Sequence, residues 1–97
     1  MASQTNRIKV KFRKEFIVHY KKANVRIQHE VDKRIRLFKR NPTEIQLHNH
    51  PLRDKWKGYR SINITEDFRA IYKELLEENE YYIAYFVALG THKQLYR

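Results

Sequence analysis

Tyr59-Arg60-Ser61-Ile62-Asn63-Ile64-Thr65-Glu66-Asp67-Phe68-Arg69-Ala70-Ile71-Tyr72-Lys73 spells out two strands and the turn between them. Polar and apolar residues alternate from Tyr59 to Ile64, which puts Ile62 and Ile64 on one face of a strand. Thr65-Glu66-Asp67 reads as a tight turn and Phe68 to Lys73 as the returning strand. Downstream, Glu77-Glu78-Asn79-Glu80 makes an acidic hairpin loop. Tyr81 to Leu89 is then apolar or aromatic almost throughout, as expected of a central strand covered on much of both faces. Gly90 breaks this strand, and Thr91 to Arg97 form a short tail.

Upstream of Gly58, itself a turn or bulge position, Thr43 to Lys57 is a mixed connector holding His48, His50, Pro51 and Trp56. Before it, Ile27, Val31, Ile35 and Phe38 recur at helical spacing and form one apolar stripe. Asn24 can cap this helix, and Asn41-Pro42 ends it, because proline lacks an N–H and biases its predecessor away from helix. Arg13 to Ala23, with Phe16, Val18 and Tyr20, reads as a shorter helix. Arg7 to Phe12 alternates with period two and suits an edge strand whose Lys and Arg side chains point outward. Met1 to Thr5 is polar and frayed. The order β-α-α-β-β-β, with helices segregated from a twisted antiparallel sheet of about four strands, defines an α+β fold.

The chain has 97 residues, with 21 Lys and Arg against 11 Asp and Glu, a formal charge of +10. This length suits a single domain, residues 1–97. Cysteine is absent, which removes disulfides, thiolate metal sites and a Cys nucleophile. Met1 to Lys11 holds no apolar run of the signal-peptide kind, and no segment has the length of a membrane span, so a cytoplasmic protein with no membrane partner is expected. The charge is unevenly placed. Residues 1–41 hold thirteen Lys and Arg against Glu15, Glu30 and Asp32, while the remainder is balanced. Such an excess forms a patch suited to a polyanion, and Lys33, Arg34, Arg36, Lys39 and Arg40 on the second helix are its densest run.

Candidate chemistry lies in the balanced half. His48 and His50 are two apart in an extended segment and face one side, a candidate metal pair without an evident third ligand. His50, Asp67 and His92 sit near chain breaks, where acid–base groups are often carried. Two imidazoles and a carboxylate suffice to cleave RNA without metal or other cofactor: one group takes the ribose 2′-OH proton, and another protonates the leaving 5′-oxygen. Arg69, among apolar neighbours, is either a structural ion pair with Asp67 or Glu80, or a phosphate clamp. Trp56 suits the core better than a base stack, and Tyr96 is the better stacking candidate.

His50-Pro51-Leu52, Trp56-Lys57-Gly58-Tyr59-Arg60, Asp67-Phe68-Arg69-Ala70-Ile71-Tyr72 and Leu89-Gly90-Thr91-His92-Lys93-Gln94-Leu95-Tyr96 together resemble the RelE/ParE superfamily of type II toxin–antitoxin toxins, in its YafQ-like branch. The resemblance covers residues 50–96. It implies a RelE-like fold and a ribosome-dependent endoribonuclease (an mRNA interferase) that cuts mRNA in the ribosomal A site. The implied partners are 16S rRNA, mRNA and a cognate acidic antitoxin.

The catalytic set it implies is His50, Asp67 and His92, with Arg69 as the phosphate contact. Asn63, Tyr96, Arg60 and Lys57 are the implied substrate contacts. Asn63 stands where the family carries a further histidine, and an amide cannot shuttle a proton at neutral pH. A ParE-like gyrase inhibitor, a toxin weakened by Asn63, and a basic RNA-binding domain without cleavage are the competing readings.

Overall fold

The computed structural model describes residues 8–76 and 82–96. Met1 to Thr5, expected to fray, Arg7, expected to open the first strand, Glu77 to Glu80, expected to form an acidic loop, and also Tyr81 and Arg97 lie outside the described residues. In chain order the elements are β1 (Lys9–Phe12), α1 (Lys14–Lys22), α2 (Val25–Arg40), a 3-10 turn (Ile45–Leu47), β2 (His50–Pro51), a second 3-10 turn (Asp54–Trp56), β3 (Arg60–Asn63), β4 (Phe68–Leu76), β5 (Tyr82–Thr91) and α3 (His92–Tyr96).

The α+β class and the helical hairpin follow the sequence pattern; the sheet is larger and mixed. It has five strands in the order β1-β5-β4-β3-β2. β2 to β5 form an antiparallel meander, but β1 runs parallel to β5, Lys9 opposite Ile83 through Phe12 opposite Phe86. A parallel neighbour requires a long crossover, and α1 and α2 supply the start of one. β1 does lie at an edge, and β2, at the other, is too short to produce an alternation signal.

The α2 stripe is buried as its spacing requires: Ile27, Val31, Ile35 and Phe38 are all in the core. Asn24 caps the helix, its side-chain oxygen accepting from the Ile27 N–H at 2.9 Å. In α1 only Phe16 is buried, and Val18 is exposed. Phe16 and Tyr20 are one helical turn apart, so Val18 between them faces away.

These helices cover one face of the sheet. There Phe38 meets Tyr72 and Phe86 edge-on, with ring centres 4.9 and 5.3 Å apart. Ile62, Ile64, Ala70, Ala84 and Leu89 complete this core.

The opposite face is covered at one end by α3, where the sequence pattern suggests only a tail. β5 passes through Gly90 to Thr91 without a break. A side chain at Gly90 would bring its Cβ within 2.9 Å of Gln94 Oε1 and 3.5 Å of Leu95 Cδ2. The glycine therefore lets α3 lie directly on the strand that precedes it. The Trp56 indole N–H donates to the Leu95 carbonyl at 2.9 Å, and the Tyr96 hydroxyl bonds Ser61 Oγ at 3.2 Å. Trp56 is half-buried at this junction, where it pins α3 to the sheet.

Phe38 is fully buried at the junction of α2, β4 and β5. Phe38→Ala should lower unfolding stability by about 3–5 kcal/mol in urea titration, the usual result of emptying such a site. A loss below ~1 kcal/mol would contradict this packing.

Candidate functional site

Alternation along β3 and β4 sends Asn63 and Arg69 to the α3 side of the sheet, directly opposite one another. α3 starts where β5 ends, and places His92 and Tyr96 one turn apart on the same face, ring centres 4.5 Å apart. β2 contributes His50 from the edge. These side chains line a cleft of about 400 Å³ together with His48, Leu52, Arg53 and Asp54. Residues scattered between positions 48 and 96 therefore face one space.

The β2 wall is held by Asn49. Its side-chain amide donates to the Pro42 carbonyl at 2.9 Å and to the Tyr72 hydroxyl at 2.8 Å. Its oxygen accepts from Arg60 Nε at 2.9 Å. Leu47, just before, is fully buried. Between these anchors His48 adopts a left-handed backbone, φ 47 and ψ 49. That geometry turns its carbonyl toward His50, whose Nδ1 lies 2.8 Å away. A carbonyl only accepts, so Nδ1 carries the proton in this contact and a neutral His50 presents its lone pair at Nε2.

Arg69 is held by backbone. Its Nη1 donates to the carbonyls of Thr65, Glu66 and Phe68 at 3.0, 2.9 and 3.1 Å. These bonds take the place of an ion pair with Asp67; Glu80, the other carboxylate expected to pair with it, lies outside the described residues. Its Nε and Nη2 make no hydrogen bond to a described residue, so part of the fork is available to an anion.

Asn63 Oδ1 is buried and lacks a hydrogen-bond partner among the described residues. An unsatisfied buried acceptor costs about 1–3 kcal/mol, which a donor from a ligand would recover.

The remaining candidates lie elsewhere. Asp67 is exposed and does not line the cleft; its carbonyl accepts the His92 N–H at 3.0 Å, so it holds the start of α3 through the main chain. Arg60 points to the helix side of the sheet and is engaged with Asn49. Its expected substrate contact is replaced by this scaffolding bond, because alternation puts Arg60 on the opposite face from Asn63. Lys57 is exposed beyond the second 3-10 turn and outside the cleft lining.

On α2, Lys33, Arg36, Lys39 and Arg40 are exposed. Lys33 pairs with Glu30 at 3.6 Å, and Arg34 is partly withdrawn, donating to the Gln46 carbonyl at 2.9 Å. Among the described residues no three His, Cys, Asp or Glu side chains are grouped to hold a metal.

His48, Arg53 and Asp54 join the cleft although the sequence gives them no catalytic or substrate role. The one signal available for them is the His-x-His spacing at His48. Asp54 has a left-handed backbone, φ 56, which residue type alone does not announce.

Solved structures share this architecture. The crystal structure of YafQ from E. coli strain BL21(DE3) matches with a TM-score of 0.73 and 26% identity, over 93% of this chain and 99% of that one. The YoeB/ParE toxin from Agrobacterium tumefaciens matches at 0.71 and 20%, over 88% and 99% of the two chains. The toxin–antitoxin complex RelBE2 from Mycobacterium tuberculosis matches at 0.68 and 17%, over 89% and 99%. The fold class is thus that of the RelE-like toxins.

Compared with curated protein sequences, the chain has no significant match. A family model described as "Bacterial toxin of type II toxin-antitoxin system, YafQ" matches residues 7–97, and the chain belongs to that family. No helix among the described residues is long and apolar enough to cross a membrane.

The hydroxyl that braces the β2 wall has a pH signature. Burial, opposed by the bond from Asn49 and the positive charge of Arg60, raises the Tyr72 pKa above its ordinary value. Burial and the bond to Glu74 raise that of Tyr82, and the bond to Asp32 raises that of Tyr20. An unfolded tyrosine ionises near pH 10, so the contribution is complete below about pH 10 and is lost as pH rises further. Urea titrations at increasing pH should show stability falling above about pH 10, and Tyr72→Phe should flatten part of that fall. A profile unchanged in Tyr72→Phe would contradict the assignment.

Proposed function

We propose that this YafQ-family toxin is a ribosome-dependent endoribonuclease that cuts mRNA at the A site by acid–base attack of the ribose 2′-OH on the adjacent phosphate. One arrangement carries the conclusion: His50 and His92 reach the same cleft from different elements, with the partly free guanidinium of Arg69 between chain segments that hold both. This is the equipment phosphodiester cleavage needs.

In this reading His50 Nε2 accepts the 2′-OH proton as the 2′-oxygen attacks phosphorus. Arg69 neutralises the non-bridging oxygens as their charge grows. His92 gives its proton to the departing 5′-oxygen. The products are a 2′,3′-cyclic phosphate and a 5′-hydroxyl. Tyr96 packs against the His92 ring and offers its own ring to a base. Asn63 lines the cleft and offers its side chain as a contact for the nucleotide. Asp67 is a positioning residue, acting on His92 through α3.

Ribosome-programmed cleavage is the direct test. His50→Ala and His92→Ala should each slow the bound-state cut by about 10²–10⁴-fold. Arg69→Ala should slow it by about 10²–10³-fold, as expected for removing transition-state charge stabilisation. Unchanged cleavage by His92→Ala would overturn the assignment.

Docking is assigned to the exposed cations of α2, because they lie outside the cleft and contain no acid–base group. Changing Lys33, Arg36, Lys39 and Arg40 together to Gln should weaken ribosome binding. It should also reduce the salt slope by roughly 0.7–0.9 for each phosphate that is no longer neutralised. Cutting by complexes that still form should keep its rate; a fall in that rate would place these residues in the chemistry.

The antitoxin is proposed as an acidic protein with an apolar anchor. An apolar groove of about 420 Å³ between β1, α1 and α2 is lined by Phe12, Phe16, Ile17, Val31 and Ile35, and its charged lining is Lys21 and Arg36 against one carboxylate, Asp32. Such a groove suits an inserted side chain, and the cations suit its acidic surroundings.

A further inference from the structure

His48 is used by none of the steps above. It nevertheless stands on a firmly held loop. Leu47 is buried on one side of it, and Asn49 is locked by Pro42, Tyr72 and Arg60 on the other. Its own N–H donates to the Ile45 carbonyl. With its neighbours turned inward, the His48 ring is turned outward, 5.1 Å from the His50 ring, and it lines the cleft.

His48 stands outside the strand register: β2 begins at His50, which pairs with Ser61, and the left-handed backbone of His48 ends the preceding 3-10 turn. His48 therefore lines the cleft from the β2 edge of the sheet, while Arg69, paired with Asn63, lines it from β4. β3 lies between those two strands, so their backbones are separated by two strand spacings, about 10 Å in all. A nucleotide backbone fits between groups carried at those two positions.

We infer that His48 is a substrate-binding residue of this cleft: its imidazole N–H donates to a backbone phosphate of the RNA on the wall opposite Arg69. The inference rests on the endoribonuclease reading and adds to it a residue that contributes binding, with no part in proton transfer. The charged and titratable groups facing His48 in the cleft are His50, Arg53, Asp54, Arg69, His92 and Tyr96.

Glycine and asparagine both tolerate the left-handed backbone, so His48→Gly and His48→Asn remove the ring and keep the carbonyl that orients His50. His48→Lys replaces the imidazole with another donor to phosphate. The probe is an mRNA with 2′-deoxyribose at the scissile nucleotide, bound with toxin on programmed ribosomes so that affinity is read without cutting. His48→Gly and His48→Asn should bind about tenfold more weakly, as expected when a charge-assisted hydrogen bond to phosphate is removed, and His48→Lys should stay within about threefold of wild type. On cleavable mRNA the effect should appear in KM and leave kcat within about threefold, since uniform binding is what has been removed.

Wild-type affinity in both the Gly and Asn variants would overturn the inference while leaving the endoribonuclease reading intact. A fall in kcat without a change in affinity would also overturn it, by making His48 a proton-transfer group. Failure of wild type itself to bind programmed ribosomes would overturn the underlying reading and this inference with it.

Discussion

The Asn49 side chain is the interaction on which the candidate site depends. One amide joins the loop after α2, the floor of the sheet and the start of β3 by bonding Pro42, Tyr72 and Arg60. Without it β2, only two residues long, would have little to hold it at the sheet edge. With it, the residues on either side of Asn49 face outward, and both are histidines. A half-buried amide with all these partners in place is stiff because moving it breaks three hydrogen bonds at once, each worth about 0.5–1.5 kcal/mol. Stiffness at the β2 wall gives His50 a defined tautomer and aims it at the same space as His92.

The second wall is built by a different device. Gly90 removes the Cβ that would keep α3 off β5, and Trp56 reaches across to the Leu95 carbonyl. A five-residue helix has little stability of its own. It is positioned by these contacts and by Asp67, whose carbonyl receives the first N–H of the helix. The two walls are therefore independent, one fixed from the helix side of the sheet and one from the opposite side. Substrate would be gripped between them over a floor made by Asn63 and Arg69.

Periodicity reveals those parts of the fold that obey it. The α2 stripe, Ile62 and Ile64 in β3, and the apolar run of β5 all pack as their spacing demands, since each is long enough to show a period. β2 is hidden because two residues have no period, and α3 because His92-Lys93-Gln94-Leu95-Tyr96 carries no apolar stripe. The parallel direction of β1 is set by where α1 and α2 return the chain, which local sequence does not encode. Among the candidate site residues, His50, Asn63, Arg69, His92 and Tyr96 line one cleft. Arg60 does not, because alternation along β3 turns it to the other face of the sheet. Gly90 looks like a strand breaker in the sequence, yet its missing side chain serves the approach of α3.

Charge and chemistry are divided between the halves of the chain. The cations of α2 lie outside the cleft, and the groups proposed for acid–base chemistry come from the charge-balanced half. The central claim is that the cleft directs the ribose 2′-OH onto the neighbouring phosphate, and the new RNA ends report this most directly. Mass spectrometry of fragments cut on programmed ribosomes should find a 2′,3′-cyclic phosphate, or the 3′-phosphate it hydrolyses to, on the upstream piece and a 5′-hydroxyl on the downstream piece. A 3′-hydroxyl paired with a 5′-phosphate would mean that water, and not the 2′-oxygen, attacks phosphorus, and would contradict the account.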